Sequence, residues 1–155
     1  MEAKKNDVND SDLCHAPLSA GVTYNCTLNF RSLPKIVSFN VRGLGKSIKW
    51  KFIRNLERKE GVQLLCLQET KKEAVSRELC IALWGNCDVQ WFFSPSIGAA
   101  GGLLCLWDSN SFSLSSYFQG EDHVNLEDIW KEKNCEVVIV NVYSSCDRIK
   151  KLNDW

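Results

Sequence analysis

The feature that most constrains this chain is a pair of short apolar runs of strand length separated by one amphipathic segment. Residues 62–71 read VQLLCLQETK, in which Val62, Leu64, Leu65, Cys66 and Leu67 run nearly unbroken before the chain turns polar at Gln68-Glu69-Thr70. Such a run after Gly61 reads as a strand buried on both faces. Residues 35–41, KIVSFNV, form a second run that carries Asn40 near its end. Between them, residues 47–59 place Ile48, Phe52, Ile53 and Leu56 on one helical face, with Ser47 as N-cap and Gly61 just past the end. Strand, helix, strand makes the two strands parallel neighbours, so Asn40 and Glu69 are expected at one edge of one sheet.

A carboxylate at the end of a buried strand is not there for packing, because an unpaired buried charge is strongly unfavourable. Open α/β sheets place ligands at the carboxyl ends of their strands. Glu69 is thus the first candidate for chemistry, and holding a divalent cation is its natural work. The ordinary alternative is that Asn40 caps a turn and Glu69 makes a surface ion pair. On spacing alone the ordinary alternative is the better one.

The 155 residues suit one domain with a real core. The runs LLCLW and VVIVNV are strand-length, so nothing is long enough to span a membrane as a helix. Residues 1–34 are polar, aperiodic and lack the apolar core of a signal peptide; they read as a disordered leader before a domain over residues 35–155. The sequons at Asn9 and Asn25 then read as chance matches. The net charge is zero but unevenly placed: residues 35–72 hold ten Lys/Arg against three Asp/Glu, and residues 73–155 hold six against twelve. A basic front half suits a polyanion, although a solvated helix face explains it at least as well. Of the eight cysteines, Cys66, Cys105 and Cys135 lie in or beside apolar strands and Cys80 in a helical stretch. They read as small buried hydrophobes in a reducing, intracellular compartment, nucleus or cytoplasm. Cys14-His15 with Cys26 lacks the ligand count of a zinc site.

Further along, residues 72–84 read as a second helix with Val75, Leu79, Ala82 and Leu83 buried, ended by Gly85. Residues 88–93 read as a strand, and residues 94–102, SPSIGAAGG, as a loop or hairpin connection whose backbone can approach a ligand closely. Strands follow at 101–107 and 112–118, and residues 124–130 pair with 136–142 across the polar turn 131–134. The last strand ends in Tyr143. Its phenol can serve a phosphate, but a core tyrosine is the ordinary reading. His123 lies in a polar loop. The order implies an α/β fold, a mixed sheet with helices on one face, and a second face left uncovered.

Taken in order, SFNVRGLG, LLCLQETK, LWG, SIGAAGGLLCLWD and VVIVNVYSSCD resemble the endonuclease/exonuclease/phosphatase superfamily, in particular the apurinic-type endonuclease domain of plant LINE-type retrotransposon proteins. The resemblance covers residues 35–155 and reverses the preference stated above for Asn40 and Glu69. It implies the N-terminal half of a DNase I-like two-sheet α/β sandwich that cleaves phosphodiesters in DNA with Mg2+, Mn2+ being a possible substitute. It makes Glu69 the metal ligand, Asn40 and Tyr143 catalytic-site residues, and Ser94, Gly98 and Gly101 part of the segment bordering substrate.

The chain departs from the family pattern after Tyr143. A Gly-Asp-Phe-Asn segment and a Ser-Asp-His segment, which supply further carboxylates and the Asp–His pair, do not occur in it. The expectation is a truncated domain, inactive alone, with its second sheet in the absent half and a bare sheet face prone to self-association. Two other readings stay open: a non-catalytic fragment that binds nucleic acid or a partner, and a phosphoesterase for small phosphates or lipids.

Overall fold

The computed structural model describes residues 21–24, 33–45, 47–98 and 100–143. Its frame is the expected strand–helix–strand unit. Strand β2 (Ile36–Asn40; β1 is the earlier Gly21–Tyr24) leads into helix α1 (Ser47–Glu60) and strand β3 (Leu64–Gln68). Strands β2 and β3 pair in parallel with Asn40 opposite Gln68. Helix α2 (Arg77–Trp84) follows, then β4 (Val89–Ile97), β5 (Ala100–Asp108), β6 (Phe112–Gln119), β7 (His123–Trp130) and β8 (Cys135–Val142). The first sheet has the order β2-β3-β5-β4 and the second β1-β8-β7-β6.

All five residues of β3 are buried because the strand is covered on both sides and on both faces. Leu65 and Leu67 point to the helices, where they meet Ile53, Leu83 and Trp84. Leu64 and Cys66 point the other way, into a core shared with Leu126, Trp130, Val137 and Ile139 of the second sheet. Chain order and period-two alternation thus build a two-sheet DNase I-like sandwich with helices on one outer face.

Four sequence expectations are corrected. The face expected to be bare is covered, because residues 112–142 form a separate meander instead of widening the first sheet. Their inward apolar positions, among them Phe112, Val124, Leu126 and Ile139, give that meander a face of its own to bury. Within the supposed leader, Gly21–Tyr24 pair antiparallel with Val137–Val140 and cover the outer edge of β8. The rest of the leader, with Cys14, His15, Cys26, Asn9 and Asn25, lies outside the described residues. Helix α2 starts later than residue 72: Ser76 is its N-cap, accepting from the Leu79 N–H at 3.2 Å, and Gly85 closes it at φ 109°. Finally, Cys135 is disulfide-bonded, whereas Cys66, Cys80, Cys87 and Cys105 are free.

The apolar stripe of α1 is split. Ile53 is buried, but Ile48 is 79% and Phe52 54% exposed. The helix lies over β2, an edge strand, so part of its stripe overhangs the sheet; Phe52 meets Phe39 of β2 with ring centroids 5.8 Å apart. No helix among the described residues is long and apolar enough to cross a membrane.

A carboxyl group stands at an inward position of the second sheet. Asp128 of β7 is 2% exposed, and neither carboxyl oxygen has a hydrogen-bond partner among the described residues. Burial pushes its pKa from 3.8 up to about 6. The folded state therefore holds this proton more tightly than the unfolded chain. The associated stability is fully present below the unfolded value and is lost as pH rises through the folded one. Urea unfolding between pH 4 and 7 should show wild type losing on the order of 2–3 kcal/mol relative to Asp128→Asn. Parallel pH profiles for the two proteins would contradict a protonated Asp128.

Candidate active site

The topology brings several chain ends to one edge. Parallel β2 and β3 finish there, antiparallel β5 begins there with Leu103 opposite Gln68, and β8 finishes beside the start of β7, where the Tyr143 N–H donates to the Asp122 carbonyl at 2.7 Å.

Asn40 and Glu69 touch. The Asn40 Nδ2 donates to Glu69 Oε1 at 2.9 Å. The Arg42 backbone N–H donates to Asn40 Oδ1 at 3.0 Å, so only the NH2 side of the amide is left to face the carboxylate. Glu69 Oε2 takes no hydrogen bond among the described residues.

The backbone around this pair is zipped from both sides. Gly43 and Leu44 donate to the carbonyls of Glu69 and Thr70 at 2.6 and 2.9 Å, while Thr70 and Lys71 donate to those of Gly102 and Gly101 at 3.0 and 3.1 Å. Three of the four described non-glycine residues with positive φ fall here: Arg42 at 47°, Glu69 at 53° and Lys71 at 54°. Such conformations cost roughly 1–3 kcal/mol each and persist where surrounding contacts over-determine them. Gly102 is equally constrained. At φ +85°, an added Cβ would stand 2.4 Å from Thr70 Oγ1.

Tyr143 joins the edge through Gly101: its ring lies 3.6 Å from where a Gly101 Cβ would be. Ser94, Gly101 and Tyr143 line a cleft of about 250 Å³ together with Gln119, Glu121 and Asp122. The Ser94 hydroxyl there accepts from Gln119 Nε2 at 3.0 Å. Gly98 is not brought in; it stands in open space at an exposed hairpin tip at φ +60°, because Ser94–Ile97 continue β4 and only the turn itself is loop. The His123 ring covers Gly120, beside that cleft's wall. A second cleft of about 350 Å³ is strongly basic, lined by Arg42, Lys49, Lys71 and Lys72 with Gly43 and Thr70.

Residues outside the expected set hold these pieces in place. Gln68 and Asn141 are 5% and 0% exposed, and Gln68 Nε2 donates to Asn141 Oδ1 at 2.6 Å across the two sheets. Gln68 also donates to Ser38 Oγ at 3.0 Å, and Asn141 Nδ2 to Cys105 Sγ at 3.3 Å. Their sequence signal was an amide inside each apolar run, LLCLQ and VVIVNV.

A hard cation such as Mg2+ takes oxygen ligands, commonly one or two carboxylates completed by water and substrate. Glu69 fits the part of a single anchor. Among the described residues no group of three His, Cys, Asp or Glu could enclose a metal ion.

No family model and no curated protein matches the chain. Among solved structures it is similar to the AP endonuclease LMAP from Leishmania major, with a TM-score of 0.56 and 16% identity over 84% of this chain. The likeness shows a shared fold. This chain spans 47% of the length of that enzyme.

The buried bridge should behave as a unit. Asn141→Leu removes the acceptor that Gln68 Nε2 reaches across the sheets, leaving it Ser38 Oγ, and should cost on the order of 1–3 kcal/mol. Adding Gln68→Met should cost less than the sum of the two single changes in urea unfolding. Strict additivity would mean the two amides are not coupled.

Proposed function

We propose that this edge is a phosphodiester site of the endonuclease/exonuclease/phosphatase type, acting on DNA with Mg2+ or Mn2+, of which this chain supplies part. The observation that carries the reading is the Asn40–Glu69 hydrogen bond at the sheet edge, set in a strained and fully zipped backbone. The order of the motifs around it supports a retrotransposon-type endonuclease, and the fold shared with an AP endonuclease agrees with a nuclease.

In this reading Glu69 anchors the cation, with Asn40 holding one of its oxygens so that the other is presented outward. Tyr143 offers a phenol to a phosphate oxygen, and the Gly101–Gly102 backbone with Ser94 allows close approach of substrate. The cation, when bound, neutralises charge developing on the phosphate. Among the described residues no Asp–His pair stands beside Glu69 to act as general base for water. Losing one preorganised group from such a site costs on the order of a hundredfold. The chain alone should therefore bind divalent cations weakly and not cleave.

Mn2+ titration followed by line broadening should show weak binding in wild type and none at this edge in Glu69→Gln; equal binding by both would place the metal elsewhere. In a supercoiled-plasmid assay with Mg2+, wild type should nick no faster than Glu69→Ala. Robust nicking that vanishes in Glu69→Ala would show that the chain furnishes its own base, with His123 the group to change next.

A second reading, nucleic-acid binding without catalysis, is favoured by the basic cleft. If Lys71 and Lys72 each meet a phosphate, the double change to alanine should make the slope of log K against log salt shallower by about 2 on duplex DNA. An unchanged slope removes both residues from any DNA footprint.

A further inference from the structure

Lys49 does not behave like the other basic residues of α1. Its side chain turns back toward the loop that precedes the helix. Nζ donates to three successive carbonyls, Val41 at 2.8 Å, Arg42 at 3.1 Å and Gly43 at 2.9 Å. An ammonium group has three N–H donors, so the three acceptors satisfy it completely. Lys49 is half-buried and has no carboxylate partner among the described residues.

The loop needs such a group. Arg42 at φ 47° and Gly43 at φ 93° turn the backbone so that three carbonyls in a row converge. Converging carbonyl dipoles repel one another unless a cation sits between them. The opposite side of the same residues is already committed: Val41, Gly43 and Leu44 donate to the carbonyls of residues 68–70, and the Arg42 N–H donates to Asn40 Oδ1. The Lys49 charge therefore holds the three carbonyls that face α1, beside Trp50 Nε1, which donates to the next one, Leu44, at 3.0 Å. The consequence reaches Asn40, because the N–H that fixes its amide orientation belongs to Arg42, whose own carbonyl Lys49 grips.

We propose that Lys49 is a positioning residue: its ammonium group clamps the 41–43 carbonyls, keeps the Arg42 N–H on Asn40, and so aims the Asn40 amide at Glu69. Its importance for cation or phosphate binding rests on the phosphodiester-site reading above, but the clamp itself does not. Lys49 spends its donors inside the protein, so the basic cleft offers a ligand Arg42, Lys71 and Lys72 and not Lys49.

The test uses the full 155-residue chain, isotope-labelled, in solution. In wild type the Lys49 ammonium protons should exchange with water at least about tenfold more slowly than those of exposed Lys51, the ratio expected for donors held by a net hydrogen-bond energy near 1.4 kcal/mol. This needs no variant, and equal exchange for the two lysines overturns the proposal. In Lys49→Met the Asn40 side-chain amide resonances should collapse toward those of exposed Asn55, and the Gly43 and Leu44 amides should lose about tenfold protection. Lys51→Met, which removes the same charge from the same helix, should move none of these. Retention of the Asn40 signature in a folded Lys49→Met protein also overturns the proposal. Mn2+ separates the two readings. If wild type fails to bind Mn2+ while the amide signature still depends on Lys49, the metal-site reading falls and the clamp stands. If Mn2+ binds wild type and Lys49→Met equally, with the Asn40 signature intact in both, the clamp falls and the metal site stands.

Discussion

The two sheets of this protein are held in register at the site by a buried polar node centred on the Gln68–Asn141 amide pair. Elsewhere the interface between them is largely apolar and non-directional. Apolar packing fixes the distance between two sheets far better than it fixes their slide, because Leu, Val and Ile tolerate small displacements. An amide pair at 2.6 Å tolerates little. Gln68 immediately precedes Glu69, and Asn141 lies two residues before Tyr143. The bridge therefore ties the strand that presents the carboxylate to the strand that presents the phenol. Its further bonds, to Ser38 Oγ and Cys105 Sγ, extend the same register to β2 and β5. Four of the strands that end or begin at the site edge, β2, β3, β5 and β8, are referenced to one polar node.

Around that node the backbone is bent more sharply than its side chains prefer. Arg42, Glu69 and Lys71 share the left-handed region, and none of them is a residue that turns tolerate easily. A local rule broken three times within one small region, with backbone hydrogen bonds on both flanks holding it, is the pattern expected where placement of a side chain matters more than stability. By contrast Gly61, Gly85 and Gly98 take positive φ with the residue suited to it, and they do no more than end helices and make a turn.

Much of this was legible in the chain itself. The β2–α1–β3 unit, the antiparallel partners that follow, and the placing of Asn40 beside Glu69 come directly from period and punctuation: two short apolar runs, one amphipathic helix, a glycine after it. The second sheet was not legible as such. Alternation shows that residues 112–142 form half-buried strands, but not whether they extend an existing sheet or face it, which depends on contacts far apart in sequence. The strand Gly21–Tyr24 was hidden for a similar reason, since an edge strand gains its hydrogen bonds from β8 and needs little apolar content of its own. The helix stripe misled at Ile48 and Phe52 because periodicity gives the apolar face and not the width of the sheet beneath it. The glycine-rich segment carried two different jobs that composition cannot separate, a hairpin tip at Gly98 and a close backbone approach at Gly101 and Gly102.

The charge pattern shows why counting residues along the chain overstates what a ligand would meet. The front half of the chain is basic, yet its cations are not equivalent. Lys35 is engaged with Glu60, and Lys49 is consumed by three carbonyls. Lys51, Arg54, Arg58 and Lys59 are exposed along α1, which leads away from the sheet edge. Charges separated by more than about 8–10 Å in physiological salt scarcely reinforce one another. What acts at the site is the local group Arg42, Lys71 and Lys72 on one side of the 69–71 segment, set against Glu69 itself and, in the neighbouring cleft, Glu121 and Asp122. The edge is thus basic at the cleft lined by Arg42, Lys71 and Lys72 and carries carboxyl groups at the neighbouring one. Under the phosphodiester-site proposal, a phosphate would be held on the Arg42 side, and a cation at Glu69 would be needed before it could approach that carboxylate. The sequence-wide charge of zero conceals that polarity, because it averages over exactly the separation that gives the edge its direction.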